Sequence, residues 1–360
     1  MTALVPRPGI LDIAPYIGGE ARAAGGTRLI RLASNEGALG PSPKAMDAYK
    51  ALAGEIHRYP DGGCAELCEA LARHFDVDPT AIVCGSGSDE LLSLLTRAYA
   101  GPGDEVLYTA HGFLMYPIAT RTVGATPVAV PETNLKADVD ALLAAVTPRT
   151  RIVFIANPNN PTGSYLTRDE LARLHAGLPA NVLLVVDAAY SEFVTAPDYS
   201  DGKELVQAAA NVVMTRTFSK MYALGGLRLG WLVASPEVVN VLHRVRGPFN
   251  VSSAAQAAGV AALDDEEFVA KCRSHNQRCR AWFAAQLGQL GLTVYPSAGN
   301  FVLVNFASWG AAEPVRLHLK DRGILIRQMG AYGLPDCLRI TIGTDDEMHE
   351  VLAALASYPR

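Results

Sequence analysis

The sequence has little of what marks secreted, metal-bound or nucleic-acid-binding chains. Six cysteines are spread over 360 residues, and Cys64, Cys68, Cys84, Cys272, Cys279 and Cys337 include no C-x-x-C pair. That spacing argues against a disulfide framework or a zinc site. The thiols are expected to be ordinary buried or surface groups in a reducing cytoplasm. Charged residues make up only 19%, the formal net charge is −5, and no basic run occurs. Neither nucleic acid nor an anionic membrane surface is therefore an expected partner. No apolar stretch reaches the roughly 18 residues a spanning helix needs. The opening MTALVPRPGILDIAPYIGGE lacks a charged start and a sustained apolar run, so no secretory signal is expected. Repeats, low-complexity tracts and linkers are missing as well, as are the dinucleotide G-x-G-x-x-G and the P-loop Gly-Lys-Ser/Thr.

What is present is a large apolar core, with 49% hydrophobic residues, in a chain long enough for one large domain and a smaller one. Through the middle, short runs rich in Val, Ile and Leu alternate with amphipathic stretches. AIVCG, DEVLY, TPVAV, RIVFIA, NVLLVVD, NVVMTRT and GLRLGW read as strands. SDELLSLLTRAYA and TRDELARLHAGL read as helices, the second opened by a capping box of Thr167 and Glu170. Apolar strands separated by helices predict an α/β sheet covered on both faces. After about residue 250 the texture changes. A long helical stretch over 254–290 leads into TVYPS, NFVLVNF, GILIRQ and CLRITIG, which suits a smaller α+β domain with a boundary near Gly247-Pro248.

Chemistry concentrates at the ends of the predicted strands. In TRTFSKMYALGGLRLGW, Lys220 follows a strand, with Thr217 and Ser219 before it and Arg228 eight residues on. Hydroxyls and an arginine suit a phosphate, glycines allow close backbone approach, and a lysine among them suits a Schiff base with pyridoxal 5′-phosphate (PLP). Asp187 ends the strand of NVLLVVDAAYSEF. A carboxylate there needs a positive partner, and a protonated pyridine nitrogen provides one. Tyr190 can donate to the phenolate oxygen of the same ring, and so can Asn160 in ANPNNPTG, a turn at the carboxyl end of a strand. VCGSGSDELLSLL is a strand, a glycine-rich turn and a helix start, where Gly87, Ser88 and Asp89 are positioned to bind a phosphate. Phe113 in HGFLMY can stack on a flat ring. Arg327 and Arg339, on the strands ILIRQ and CLRITIG, are candidate forks for a carboxylate or phosphate.

Taken in order, APY, LGPSP, RYPDG, GSGSDEL, NPNNPTG, VVDAAY, RTFSK, GGLRLGW, GNFVLV and LRITIGT resemble the fold-type I, aspartate-aminotransferase-like PLP enzymes. Within these the chain is similar to the histidinol-phosphate aminotransferase family over almost its whole length. The resemblance implies a PLP-dependent transferase whose large domain holds a mostly parallel seven-stranded sheet. An N-terminal arm over 1–30 is expected to pack with the small domain or a partner subunit, the large domain to span 31–246 and the small one 247–360. It implies Lys220 as the Schiff-base lysine, Asp187 as the pyridinium partner, and Asn160 and Tyr190 at the phenolate oxygen. Ser88, Asp89, Ser219 and Arg228 would hold the phosphate, with Phe113 against the ring. Tyr59 would reach the phosphate in the neighbouring subunit, making a homodimer with shared sites, and Tyr16, Arg327 and Arg339 would line the substrate site.

The implied reaction is ping-pong transamination between histidinol phosphate and 2-oxoglutarate in cytoplasmic histidine biosynthesis. An aromatic amino-acid aminotransferase is the alternative that keeps the chemistry; a non-catalytic PLP-binding module is the more distant one. Two departures from the family pattern stand out. Asp187-Ala188-Ala189-Tyr190 replaces the usual Asp-Glu-Ala-Tyr, leaving both functional residues in place. Asn35-Glu36-Gly37-Ala38 replaces Asn-Glu-Asn-Pro at the substrate mouth, where Asn35 is expected to contact substrate.

Overall fold

A computed structural model describes residues 4–20 and 29–359. Of the arm expected over 1–30, residues 1–3 and 21–28 lie outside the described residues. In chain order the strands begin with β1 (Ile30–Leu32), β2 (Ile82–Gly85), β3 (Glu105–Thr109) and β4 (Thr126–Val130). A short hairpin of β5 (Glu132–Thr133) and β6 (Lys136–Ala137) precedes β7 (Thr150–Ala156), β8 (Leu183–Asp187), β9 (Val212–Thr217) and β10 (Gly230–Val233). The last four are β11 (Thr293–Tyr295), β12 (Phe301–Asn305), β13 (Ile324–Gln328) and β14 (Cys337–Thr341).

Seven strands form one sheet in the order β2-β10-β9-β8-β7-β3-β4, and only β10 runs antiparallel to its neighbours. The central strands are buried on both faces. Leu184 and Val186 of β8 face one apolar cluster while Leu183 and Val185 face the other, which is why the sequence reads there as an uninterrupted apolar run. The expected α/β fold with its mostly parallel seven-stranded sheet is thus borne out. A second sheet, β1-β13-β14-β12-β11, covers a separate core that includes Phe283, Val304, Leu338 and Met348. β1 joins it by parallel pairing with β13.

Two expectations about local structure are corrected. GLRLGW is not a continuous strand: Gly225–Leu227 form a 3₁₀ turn, Arg228 takes φ +55°, and pairing resumes only at Gly230. The left-handed residue breaks the extended run. The helical stretch 254–290 is two helices, Ser253–Leu263 and Glu266–Gln289. They are interrupted at Asp264-Asp265, where aspartates favour caps over helix interiors. The first of these helices lies beyond the boundary expected at 247, yet it buries Ala255, Ala258 and Ala262 in the core of the seven-stranded sheet. Among the described residues no helix is long and apolar enough to cross a membrane.

Candidate active site

At the carboxyl ends of the central strands lies a cavity of 320 Å³. β8 ends in Asp187, β7 in Ala156 and β9 in Thr217, so three adjacent strands present their last residues to one space, as ligand sites in open α/β sheets require. Asp187 is buried at 5% exposure. Its Oδ2 accepts from the Tyr116 hydroxyl at 2.9 Å, and its Oδ1 from the Thr215 hydroxyl at 3.3 Å. Both partners are neutral, so burial dominates and pushes the carboxyl up to about 6, against the lowering effect of the Tyr116 bond.

Lys220 sits on the loop between β9 and β10. Phe218 anchors that loop in the core, and the Ser219 amide donates to Thr217 Oγ1 at 3.0 Å. Lys220 Nζ donates to the Ser34 carbonyl at 3.0 Å and lies 5.8 Å from the centre of the Tyr190 ring. Desolvation, and then the nearby charge of Arg339, bring the amine down to about 8. A fraction of it is therefore unprotonated near neutral pH, the form a nucleophile or general base needs.

The helix Ser88–Tyr99 starts at the cavity wall with Asp89 and Glu90 in its first turn. Gly87 precedes it at φ +85°, where an added Cβ would meet the Arg228 guanidinium. Arg228 Nη2 donates to Asp89 Oδ2 at 3.2 Å and Nη1 to the Gly225 carbonyl at 3.0 Å. Ser88, Asp89, Ser219 and Arg228 thereby line one end of the cavity. A side chain at Gly230 would collide with the Ser88 amide, so this glycine lets β10 pass close beneath the helix start.

Toward the small sheet, Arg339 is buried at 5% exposure. It donates to the Ala33 carbonyl at 2.7 Å and to Asn160 Oδ1. Arg327 donates to the Ile17 carbonyl at 2.6 Å, 5.9 Å from the Tyr16 ring centre. Phe113 stands edge-on to Tyr16 and Tyr116, with ring centres 6.4 and 5.9 Å away.

The cavity therefore gathers Tyr16, Asn35, Ser88, Asp89, Phe113, Asn160, Asp187, Tyr190, Thr217, Ser219, Lys220, Arg228, Arg327 and Arg339. Gly87 flanks it without lining it. Tyr59 is placed elsewhere, 83% exposed and stacked on Phe249 at 4.8 Å, so within one chain it has no part in the cavity. The reading of the sequence missed Tyr116 and Thr215, the two residues that hold Asp187. Thr215 could have been found, because it alternates with Thr217 on one face of β9. Tyr116, one helical turn beyond Phe113, carried no comparable signal.

Lys220 with its lowered pKa, the buried Asp187 carboxyl and Arg228 beside a helix start thus face one space at the end of an α/β sheet. A family model, aminotransferase class I and II, matches residues 27–355. The chain belongs to that family, and the resemblance read from its ordered motifs is borne out. It is 64% identical over 359 residues to the histidinol-phosphate aminotransferase of Rhodospirillum centenum, covering 99% of each chain. To that of Paramagnetospirillum magneticum it is 60% identical over 363 residues, again covering 99% of each. Among solved structures, histidinol-phosphate aminotransferase from Sinorhizobium meliloti in complex with pyridoxal-5′-phosphate superimposes with a TM-score of 0.89 at 31% identity. The match covers 98% of this chain and 97% of that one.

Proposed function

We propose that this enzyme moves the amino group of histidinol phosphate to 2-oxoglutarate, using PLP held at Lys220, in the cytoplasm and as a homodimer. The observation that carries the reading is Asp187, a buried carboxyl that accepts from the neutral hydroxyls of Tyr116 and Thr215 and whose pKa is raised to about 6. Asp187 would hold the protonated ring nitrogen of PLP, which brings the positive charge this carboxyl needs. The remaining groups fit the same molecule: the helix start with Ser219 and Arg228 suits its phosphate, and Asn160 and Tyr190 suit its phenolate oxygen. Relatives named histidinol-phosphate aminotransferase, one of them 64% identical over 359 residues, support the substrate.

Bound PLP supplies an electron sink for charge developing at the substrate Cα. Asp187 keeps the ring nitrogen protonated, as an amide could not. Lys220 Nζ, once freed by the substrate's own amine, would take the proton from the substrate Cα and give it back on the cofactor side, as base and then acid. Arg339 offers a planar fork to the anionic group of either substrate, a carboxylate in one half-reaction and a phosphate in the other. Arg327 adds the second positive charge a phosphate prefers. The exposed Tyr59–Phe249 stack beside a cleft that also includes Arg228 supports a second subunit completing the site.

A half-reaction panel tests the substrate. The PLP-loaded protein is mixed separately with histidinol phosphate, glutamate, phenylalanine and tyrosine, and the loss of visible absorbance is followed. Rapid loss with the first two is expected. Faster loss with phenylalanine than with histidinol phosphate would replace this substrate by an aromatic one.

A further inference from the structure

The segment Ala33–Glu36 emerges from β1 of the small sheet and runs directly into the cavity. Its polar groups are distributed among several functional residues. The Ala33 carbonyl accepts from Arg339 and the Ser34 carbonyl from Lys220. Asn35 sits at φ +55°, a conformation asparagine tolerates better than most residues, and is 1% exposed. Its Nδ2 donates to Tyr190 Oη at 2.9 Å. Its own conformation is gripped from the small sheet. Thr341 Oγ1 accepts from the Asn35 amide and donates to Asn35 Oδ1, both at 3.0 Å. Asn300 Nδ2 donates to the carbonyls of Asn35 and Glu36 at 3.1 and 3.2 Å. Gly37 then passes so close to the Lys220 loop that a Cβ there would lie 2.7 Å from Ala223 Cβ. Asn35 thus has its amide hydrogen, both carbonyl oxygens and its side-chain nitrogen engaged within the protein.

We infer that Thr341 and Asn300 are positioning residues for the amino-transfer reaction: they hold Asn35 so that it orients the Tyr190 hydroxyl as a donor to the bound cofactor. The inference rests on the PLP reading above. Thr341 and Asn300 do not line the cavity, and Asn300 Oδ1 has no hydrogen-bond partner among the described residues, so the donor end of that amide is the one in use. With Asn35 donating to its oxygen, the phenol is turned to give its own hydrogen away. Around Tyr190 stand Lys220 from the β9–β10 loop, Arg339 from β14, Asp187 from β8, Asp89 from the helix Ser88–Tyr99, and Tyr332. Burial raises the phenol's pKa, and Arg339 and the Asn35 bond oppose that rise. Arg339 acts on the phenol through its charge and Lys220 lies over its ring, whereas Asn35 is bonded to the hydroxyl itself and so sets its direction.

The consequence is spectroscopic. With PLP held at Lys220, the Tyr190 hydroxyl would share the cofactor's phenolate oxygen with the proton of the nitrogen that joins them. A weaker Tyr190 donor leaves that oxygen more negative, so the nitrogen holds its proton more tightly and the visible band titrates at higher pH. Losing one neutral hydrogen bond corresponds to an upward shift of about half a pH unit.

The test is a pH titration of the visible band in PLP-loaded wild type, Asn35→Ala, Thr341→Val, Thr341→Ser and Tyr190→Phe, and in Tyr190→Phe combined with Asn35→Ala. Upward shifts are expected for Asn35→Ala and Thr341→Val. Thr341→Ser, which keeps the hydroxyl, should titrate as wild type. Tyr190→Phe should shift most, and adding Asn35→Ala to it should shift nothing further, because the effect runs through the phenol. Equal titrations in wild type, Thr341→Val and Asn35→Ala overturn the inference while leaving the cofactor reading intact. An equal extra shift from Asn35→Ala without the phenol overturns it too. If Thr341→Val does not fold, Asn300→Ala takes its place: an upward shift is again expected, and a wild-type titration overturns the inference. A protein that develops no visible band with PLP overturns the cofactor reading and this inference together.

Discussion

Replacing Asp187 by asparagine should make the cofactor-free protein more stable while disabling the enzyme. The buried carboxyl titrates at about 6 in the fold, against 3.8 for a free aspartate. Because the folded pKa lies above the unfolded one, the native state binds the proton more tightly. The charged carboxylate therefore costs stability above pH 6, and the cost fades as pH falls through 6 towards 4. Two pH units correspond to about 3 kcal/mol. Asparagine carries no charge to bury, can still accept from Tyr116, and loses part of the Thr215 interaction, which offsets about 1 kcal/mol. At pH 8 the cofactor-free Asp187→Asn protein should be about 2 kcal/mol more stable than wild type, and by pH 4 the advantage should be gone. Urea denaturation of both proteins, stripped of PLP, between pH 4 and 8 measures this directly. Turnover should meanwhile fall on the order of 100-fold or more, because the ring nitrogen loses its anionic partner. Parallel stability curves for the two proteins across the pH range would refute the reasoning and leave Asp187 an ordinary strand-end residue.

Lys220→Ala should retain PLP through the phosphate contacts yet show no steady-state turnover, and substantial turnover without added amine would remove Lys220 from the mechanism. Mixing inactive Tyr59→Ala and Lys220→Ala subunits, with exchange, should restore some activity, since each mixed dimer has one site with both residues; a fully active monomer in sedimentation would exclude shared sites. Arg327→Ala should slow the half-reaction with histidinol phosphate more than that with phenylalanine, and equal slowing would deny Arg327 a phosphate role. Arg216 pairs with Glu192 and Asp201 at 3.1 and 3.0 Å and is nearly buried, so Arg216→Met should cost about 3–5 kcal/mol by leaving two carboxylates without their cation. Chemical denaturation checks that figure, and a loss under 1 kcal/mol would show the pair to be solvated.

Much of this architecture was legible before any coordinates. The central strands are buried on both faces, so their apolar runs stand out, and Thr167 with Glu170 forms the capping box that their spacing announces. The functional residues at strand ends were legible for a related reason: a charged or amide group terminating an apolar run needs a purpose. Less visible were features that depend on distant parts of the chain. The break before Gly230 arises from Arg228 turning left-handed to meet Asp89, 139 residues away. Thr341 looks like any threonine in a strand until Asn35, 306 residues earlier, is brought against it. Tyr116 is fully buried and stacked on Phe154, so nothing local separates it from an ordinary core aromatic.

Asp187 ends the middle strand of seven, with three neighbours on either side, whereas Arg327 and Arg339 belong to the other sheet. The electronic demand of the reaction, a fixed negative charge for the ring, is thereby housed where the framework yields least to substitution or thermal fraying. On the roles proposed for Arg327 and Arg339, selection of the amino donor falls to a layer that can be re-cut without touching that charge. A new substrate preference is then most readily reached through replacements on β13 and the segment around Tyr16, with Arg339 and Thr341 of β14 left in place. Variants obtained that way should change which amine is accepted while the colour and acidity of the bound cofactor stay nearly constant.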